Sequence, residues 1–149
     1  AGWSYATTIV WDEDNVSTTA ARGSPDSPSA PHIFARVEMV LVVCKGDWNL
    51  RRVAPHDLEH TEWLEWTNGV WRFPGERRAM GHPAPFPEEL PRRLLKLFSF
   101  REDVVLDPFL GSGTTAVVCH QLGRTFYGFD TSADYVALAR RRLVAELAA

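Results

Sequence analysis

The chain has 149 residues, of which 45% are hydrophobic and 23% are charged, and its formal net charge at pH 7 is -3. This size and composition are typical of one globular domain that buries its own core. A net negative charge excludes a protein that holds polyanions by bulk positive charge, so any contact with nucleic acid has to be local. We expect a cytoplasmic protein, because the sequence has no apolar run of about 18 residues and no basic, apolar leader.

Two strands are predicted in the first third of the chain. Residues Thr7–Trp11 are β-branched and aromatic, and Val37–Cys44 is almost continuously apolar, which predicts that the second strand is largely buried. Between them, residues 22–31 contain three prolines among small polar residues, so we expect a long loop. Cys44 and Cys119 each lie in an apolar run, which favours buried reduced thiols over a disulfide or a metal site.

The segment 47–76 holds no helical or strand period for long, and we interpret it as an irregular excursion from the main sheet. It contains four tryptophans, which we expect to form the packing of a small subdomain, although they could also stack on bases. His56 and His60 stand four residues apart and would share one helix face. We expect no metal there, because no third strong ligand lies nearby.

A rigid, extended stretch followed by a helix is predicted next. Residues 81–87 contain three prolines, each of which fixes its own φ and restricts the residue before it. Residues 87–90, Pro-Glu-Glu-Leu, then predict a helix start with acids in the first turn. The apolar face of this helix is Leu90, Leu94, Leu95, Leu97 and Phe98. The basic face, Arg92, Arg93 and Lys96, is interpreted as solvated, although its charge also suits a phosphate backbone.

The most informative stretch is Val104–Thr115. A short apolar run ends at Asp107, a Gly-Ser-Gly turn follows at 111–113, and a helix-compatible run begins near Ala116. This order predicts a strand, a tight turn and a helix start. Glycine permits positive φ and close approach of a ligand, and a helix N-terminus offers unpaired N–H donors, so the turn is suited to holding a polar group.

A second strand and a final helix complete a β-α-β unit. Gly123 is a plausible helix C-cap, residues 125–130 read as a strand that ends at Asp130, and a helix is expected from Asp134 to about Leu147. Asp130 follows Asp107 by about the separation at which such units place an acid on a ribose. The alternative is that Asp130 caps the final helix, with Ser132 as a competing cap. Arg140–Arg142 are expected to complement the dipole of this helix on a solvated face.

Together these motifs resemble the DNA amino-methyltransferases, which methylate the N6 of adenine or the N4 of cytosine. The resemblance is carried by Gly-His-Pro-Ala-Pro-Phe-Pro-Glu-Glu-Leu at 81–90, Asp-Pro-Phe-Leu-Gly-Ser-Gly-Thr-Thr at 107–115, Gly-Phe-Asp at 128–130 and Tyr135–Arg142. The order of the motifs is similar to that of the permuted class, in which the catalytic half precedes the S-adenosylmethionine-binding half. The resemblance implies an α/β, Rossmann-like methyltransferase fold and a function in DNA methylation and restriction-modification.

The resemblance also implies a role for particular residues toward S-adenosyl-L-methionine. The turn would hold the methionine end of the cofactor, Asp130 would accept from the ribose hydroxyls, and Phe129 or Thr131 would border the adenine. Residues 82–86 would close the pocket from the other side, although His82 could simply be a histidine satisfied in a turn. The expected cofactor-binding residues are His82, Pro83, Ala84, Phe86, Asp107, Pro108, Phe109, Gly111, Ser112, Gly113, Thr114, Thr115 and Asp130.

One part of the family pattern is missing. The family transfers the methyl group through a tetrapeptide of Asp, Asn or Ser, then Pro-Pro and an aromatic residue, and this chain contains no Pro-Pro pair. No catalytic residue is therefore assigned, and the fold is expected to be incomplete, without its central catalytic strands. A sheet without its centre leaves strand edges and apolar faces uncovered. We expect either a longer parent chain, which a first residue other than methionine would suit, or a second chain or second copy that completes the sheet.

This interpretation divides the chain into three parts: a strand pair and loop at 1–46, the excursion at 47–76 as a possible remnant of a target-recognition region, and the cofactor-binding half at 77–149. Double-stranded DNA is the expected partner of the complete enzyme. One alternative is a non-catalytic cofactor-binding remnant or subunit. A less favoured alternative is a fragment of an NAD-binding oxidoreductase, because the turn lacks the third glycine of the dinucleotide fingerprint.

Overall fold

The computed structural model describes residues 2–14, 28–29, 37–48, 54–76 and 84–148. In chain order these residues form β1 (Trp3–Asp12), β2 (Val37–Lys45), α1 (His60–Trp66), β3 (Val70–Arg72), α2 (Glu89–Phe98), β4 (Val104–Asp107), α3 (Thr114–Gln121), β5 (Thr125–Gly128) and α4 (Ala133–Leu147). The predicted α/β class is confirmed. The loop predicted at 22–31 lies outside the described residues apart from Pro28 and Ser29. Among the helices described, none is long and apolar enough to cross a membrane.

The chain divides into two compact units. The first unit comprises Ala1–Leu50 with Thr67–Gly75, and the second comprises Arg51–Trp66 with Glu76–Ala149. The first contains a three-stranded sheet in the order β2-β1-β3, and the second contains the two-stranded sheet β4-β5. Each unit is therefore built around its own small sheet.

In the first unit, β1 is the central strand, antiparallel to β2 and parallel to β3. Ile9, Trp11 and Trp71 are its buried hydrophobic residues. The indole N–H of Trp11 donates to the Phe73 carbonyl oxygen at 3.0 Å, and the two rings stack with centroids 5.1 Å apart. A buried indole needs such an acceptor, so this bond satisfies the polar atom of a ring that otherwise supplies apolar contact.

The burial predicted for the second strand is wrong. Every other residue of β2 is exposed, and Met39 and Leu41 keep 70% and 67% of their surface. Tyr5 on β1, which lies opposite Val43, is also exposed. An exposed apolar row of this kind is unusual on a finished sheet, because the outward face of an antiparallel sheet normally carries polar side chains.

The segment 47–76 is not an irregular excursion. It contains α1 and also β3, which pairs in parallel with β1. Its tryptophans do not form one small subdomain: Trp71 is buried in the first unit and Trp66 in the second, while Trp48 and Trp63 are half exposed. A three-residue strand and a seven-residue helix are too short to impose a clear period on the sequence.

The second unit is a β-α-β arrangement in which β4 and β5 are parallel and α3 connects them. Its core is formed by Leu95 of α2 with Val118 and Cys119 of α3. Val105, Leu122 and Phe126 pack against this cluster. Gly123 has φ 70°, which confirms it as the residue that ends α3 in the left-handed region.

The basic residues of α2 are not on a solvated face as predicted. Arg93 is 8% exposed, and its guanidinium lies 2.7 Å from Glu89 and 3.3 Å from Glu65 of α1. Lys96 Nζ is 2.5 Å from Glu62 of α1. Both cations also lie over the Trp66 ring, at 5.3 and 5.6 Å from its centroid. Arg93 and Lys96 therefore hold α1 against α2 through ion pairs and cation–π contacts.

A buried ion pair fixes the segment that leads into α1. The Arg124 side chain is fully buried, and it pairs through both terminal nitrogens with Asp57, whose side chain is 9% exposed. The guanidinium also donates to the carbonyl oxygens of Leu122 at 2.8 Å and Ser99 at 3.0 Å. Burial alone would raise the pKa of Asp57, but hydrogen bonds and charge from Arg124 outweigh it and hold that pKa below its usual value.

Candidate functional site

The turn between β4 and α3 is held by its own hydrogen bonds. The Phe109 N–H donates to Asp107 Oδ1 at 2.9 Å, and the Gly113 N–H donates to the Leu110 carbonyl oxygen at 2.9 Å. Gly111 and Gly113 have φ values of 50° and 82°, in the region that only glycine adopts at little cost. The two glycines of the predicted motif are therefore required by the backbone path.

Helix α3 starts directly after this turn with no side chain capping it. Its N-cap is Gly113, which has no side chain to accept from the first N–H groups. The first four N–H groups of a helix have no intrahelical partner and carry the positive end of its dipole. Ser112 and Thr114 are buried beside this helix start. The arrangement is able to bind an anionic group such as a carboxylate or a phosphate.

Gly113 is also a packing position. A Cβ atom built on Gly113 would lie 2.6 Å from the Cβ of Ala139 in α4, which is well below any normal contact distance. Ala139 is itself buried. The small residues at 113 and 139 allow α4 to lie directly against the turn.

Asp130 connects the end of β5 to the same turn. Its Oδ2 accepts from the Gly111 N–H at 2.8 Å, and its Oδ1 accepts from the Ser132 N–H at 2.8 Å. Asp130 is not the cap of α4: the N-cap is Ser132, whose hydroxyl accepts from the Tyr135 N–H at 3.4 Å. The carboxylate of Asp130 is thereby placed beside the glycine turn, as strand-end geometry predicted.

Arg142 was missed as a site residue. It was predicted to lie on a solvated face, yet its side chain is only 17% exposed and reaches the turn from α4. One guanidinium nitrogen lies 2.9 Å from the Ser112 carbonyl oxygen, 3.0 Å from Ser112 Oγ and 3.1 Å from Thr114 Oγ1. The available signal was helical spacing, because residue 142 lies about one turn beyond Ala139 and so on the face that meets the turn.

A cleft brings several predicted residues together. It is lined by Ala84, Pro85, Phe86, Phe109, Leu110, Gly111, Ser112 and Thr114. Asp107, Pro108, Gly113, Thr115 and Asp130 belong to the turn and its supports but are not among these lining residues. His82 and Pro83 lie outside the described residues. Phe109 is 85% exposed, so its ring is free to contact a ligand at the mouth of the cleft.

The cysteines and histidines do not add a second centre. Cys44 and Cys119 are both free, and burial raises the pKa of the Cys119 thiol to about 11. His60 opens α1 and stacks on Trp63 with ring centroids 6.1 Å apart, whereas His56 precedes the helix, so the two do not share a helix face as the spacing suggested. Among the residues that the structure describes, no group of three metal-ligating side chains occurs.

Comparison with known proteins identifies the family. The N6_N4_Mtase family, described as DNA methylase, matches residues 1–141. Type II methyltransferase M.MjaVI of Methanocaldococcus jannaschii is 44% identical over 77 residues, which are 52% of this chain and 40% of the relative. Type II methyltransferase M2.DpnII of Streptococcus pneumoniae is 32% identical over 151 residues, covering 97% of this chain and 53% of the relative.

Solved structures agree with the sequence relatives. The protein TTHA0409 of Thermus thermophilus, complexed with S-adenosyl-L-methionine, superimposes with a TM-score of 0.75 at 29% identity, covering 97% of this chain and 55% of its own. The cytosine-N4-specific PvuII DNA methyltransferase has a TM-score of 0.66 at 22% identity, which supports the Rossmann-like fold alone. The chain spans about half the length of the relatives that it matches along most of its own length. The glycine turn, the strand-end acid and these matches show that the chain belongs to the N6/N4 DNA methyltransferase family.

Proposed function

We propose that this chain is the S-adenosyl-L-methionine-binding half of a DNA amino-methyltransferase of the permuted class. The observation that carries the proposal is the cleft in which Ala84–Phe86 face the glycine turn and the uncapped start of α3. This donor set suits the amino-acid end of the cofactor, whose carboxylate needs N–H donors and positive potential. When bound, the cofactor supplies an electrophilic methyl group on a sulfonium. Its presence in the TTHA0409 structure supports the assignment.

Asp130 is proposed to accept from the ribose hydroxyls. A carboxylate has about four acceptor sites, so its two bonds to backbone N–H groups are compatible with further bonds to a diol. Phe129 follows β5 and is exposed, and Thr131 is exposed beside Asp130, which suits the proposed contacts with adenine. His82 and Pro83 are proposed to extend the opposite wall of the pocket beyond Ala84.

The proposal is tested by calorimetric titration with S-adenosylhomocysteine and, separately, with NAD. We expect saturable binding of S-adenosylhomocysteine and no binding of NAD. D130N is expected to weaken that binding at least about tenfold, because hydrogen bonds to a charged group are the stronger kind. D134N is the matched control, since Asp134 is exposed in the first turn of α4, and it is expected to bind normally. Absence of S-adenosylhomocysteine binding, or equal binding of NAD, would refute the site.

We further propose that the chain transfers no methyl group by itself. The Asp/Ser-Pro-Pro-aromatic tetrapeptide that would accept hydrogen bonds from the flipped base is absent from the sequence. Radiolabelled methyl transfer from S-adenosyl-L-methionine to double-stranded DNA is expected to stay at background for the chain alone. Incorporation above background by the purified chain would contradict this proposal. Neither the target base, adenine or cytosine, nor the recognition sequence is specified by the residues present.

The missing half is proposed to cover the exposed apolar faces. In the second unit, Val104 and Leu106 of β4 and Tyr127 of β5 keep more than half of their surface. Parallel sheets are normally covered on both faces, so a two-stranded parallel sheet with these residues exposed lacks neighbours. A longer parent chain, a second chain or a second copy would supply them. Part of the excursion segment 47–76 is kept as a possible remnant of a target-recognition region, in a protein expected to be cytoplasmic.

The second candidate is a cofactor-binding remnant or subunit without catalysis, and the missing tetrapeptide favours it. The two candidates differ in one experiment. A polypeptide that contains the tetrapeptide and the part of M2.DpnII without a counterpart here is mixed with this chain. Restored methyl transfer supports a split or truncated enzyme, and continued inactivity with intact S-adenosylhomocysteine binding supports a remnant.

A further inference from the structure

We infer that Arg142 is a positioning residue that fixes both walls of the cofactor cleft for the amino-acid end of the bound molecule. The inference rests on the cofactor site proposed above. It adds a residue of α4 that is separate in sequence from the glycine turn and from Asp130.

The first wall is the glycine turn. Arg142 Nη1 is within hydrogen-bond distance of the Ser112 carbonyl oxygen, at 2.9 Å, and of the hydroxyls of Ser112 and Thr114. The peptide that links Ser112 to Gly113 is therefore held at both ends, because its N–H donates to Leu110 and its carbonyl accepts from Arg142. This fixed peptide sets the direction of the free N–H groups that begin α3.

The second wall is the segment that leads into α2. Arg142 Nη2 lies 4.0 Å from Glu88 Oε1, and Glu88 is the N-cap residue of α2, two positions after Phe86 of the cleft. Glu88 is also 3.3 Å from Gln121 Nε2 and 3.6 Å from Arg92 Nη2. One guanidinium thus reaches from the turn to the chain that forms the facing side of the cleft.

The charge of Arg142 adds to this geometry. The guanidinium is largely buried and lies beside the positive end of α3, so both favour an anionic carboxylate at the turn. A lysine would keep the charge but lose the planar fork that serves several acceptors at once. Arg142 is therefore expected to affect ligands that have the amino-acid end and to leave ligands without it largely unaffected.

The test compares two ligands on the intact chain. S-adenosylhomocysteine has the amino-acid end, and 5′-methylthioadenosine has the same nucleoside without it. R142Q is expected to weaken S-adenosylhomocysteine binding at least about tenfold, and R142K by a smaller factor, while methylthioadenosine affinity changes less than about twofold. R140Q is the matched control, because Arg140 is exposed on the same helix. Thermal melts establish that each variant is folded, and R142K supplies the answer if R142Q is not.

The outcomes are distinct. A selective loss of S-adenosylhomocysteine affinity supports a positioning role at the amino-acid end. An equal loss for both ligands, or no loss for either, overturns it, because a general structural role would not separate them. If the unmodified chain binds neither ligand, the proposed cofactor site fails and the role of Arg142 fails with it. Binding of both ligands by the unmodified chain with no effect of R142Q would overturn the role of Arg142 alone.

Discussion

Replacing Asp57 with asparagine is expected to lower the free energy of unfolding by on the order of 3 kcal/mol at pH 7. The amide cannot neutralise the fully buried Arg124 guanidinium, which would then be a buried charge without its counter-ion. Such a charge is costly in a low-dielectric interior even though its other hydrogen bonds to Leu122 and Ser99 remain. Urea denaturation followed by tryptophan fluorescence measures the change.

The same substitution predicts a pH dependence. The folded-state pKa of Asp57 is lowered, so its contribution is fully present above the unfolded-state pKa of about 3.9 and is lost as pH falls through the folded pKa. The difference in unfolding free energy between wild type and D57N should therefore be constant above about pH 5 and shrink below about pH 4. A difference that persists unchanged at pH 3 would contradict the assignment.

An exposed ion pair provides the control for Asp57. Arg72 is 3.9 Å from Asp12, and its side chain is 75% exposed. R72Q is expected to change the stability little, because exposed pairs lose most of their attraction to solvent screening. Equal losses in D57N and R72Q would show that burial does not decide the effect. R124K should behave like D57N, since an ammonium cannot reach the acceptors that the guanidinium fork serves.

Replacing Gly113 with alanine is expected to cost on the order of 3 kcal/mol and to abolish S-adenosylhomocysteine binding. Two effects add: a φ of 82° costs about 1–2 kcal/mol for a residue with a Cβ, and the new methyl would lie 2.6 Å from Ala139 Cβ, an overpacking that costs about 1–3 kcal/mol. Chemical denaturation gives the stability, and calorimetric titration gives the affinity.

The two effects can be separated by matched variants. Gly123 has a similar φ of 70° but open space around its would-be Cβ, so G123A should show only the backbone cost and should retain ligand binding. Combining G113A with A139G removes the atom that clashes, and we expect the double variant to regain part of the loss. A double variant no more stable than G113A would show that the contact between 113 and 139 is unimportant.

The elements around the glycine turn were predictable because their signals are local. The strand ending at Asp107, the two glycines with positive φ, the helix after them and the acid at 130 are all encoded within a few residues of where they act. Glycine is required by backbone sterics and a strand-end acid by chain direction, so neither depends on distant parts of the chain. Asp130 was placed correctly beside the turn, and its contact with the Gly111 N–H is the additional detail that coordinates provide.

The charged contacts were not predictable for the opposite reason. Arg93 and Lys96 have the spacing of a solvated helix face, and their burial depends on α1, whose glutamates and Trp66 lie about 30 residues earlier. Asp57 and Arg124 are separated by 67 positions. A periodicity places a residue on one face of its own helix, but it carries no information about which element packs there.

The exposed row on β2 affects how the chain behaves in solution. In the part of the chain that the structure describes, β2 is an edge strand of nine residues, and its charged residues are only Glu38 and Lys45, near its two ends. Natural edge strands discourage strand addition with charges, prolines or bulges along their length. An apolar edge without them is a template for self-association. Solubility at high concentration therefore depends on whether another polypeptide segment occupies β2.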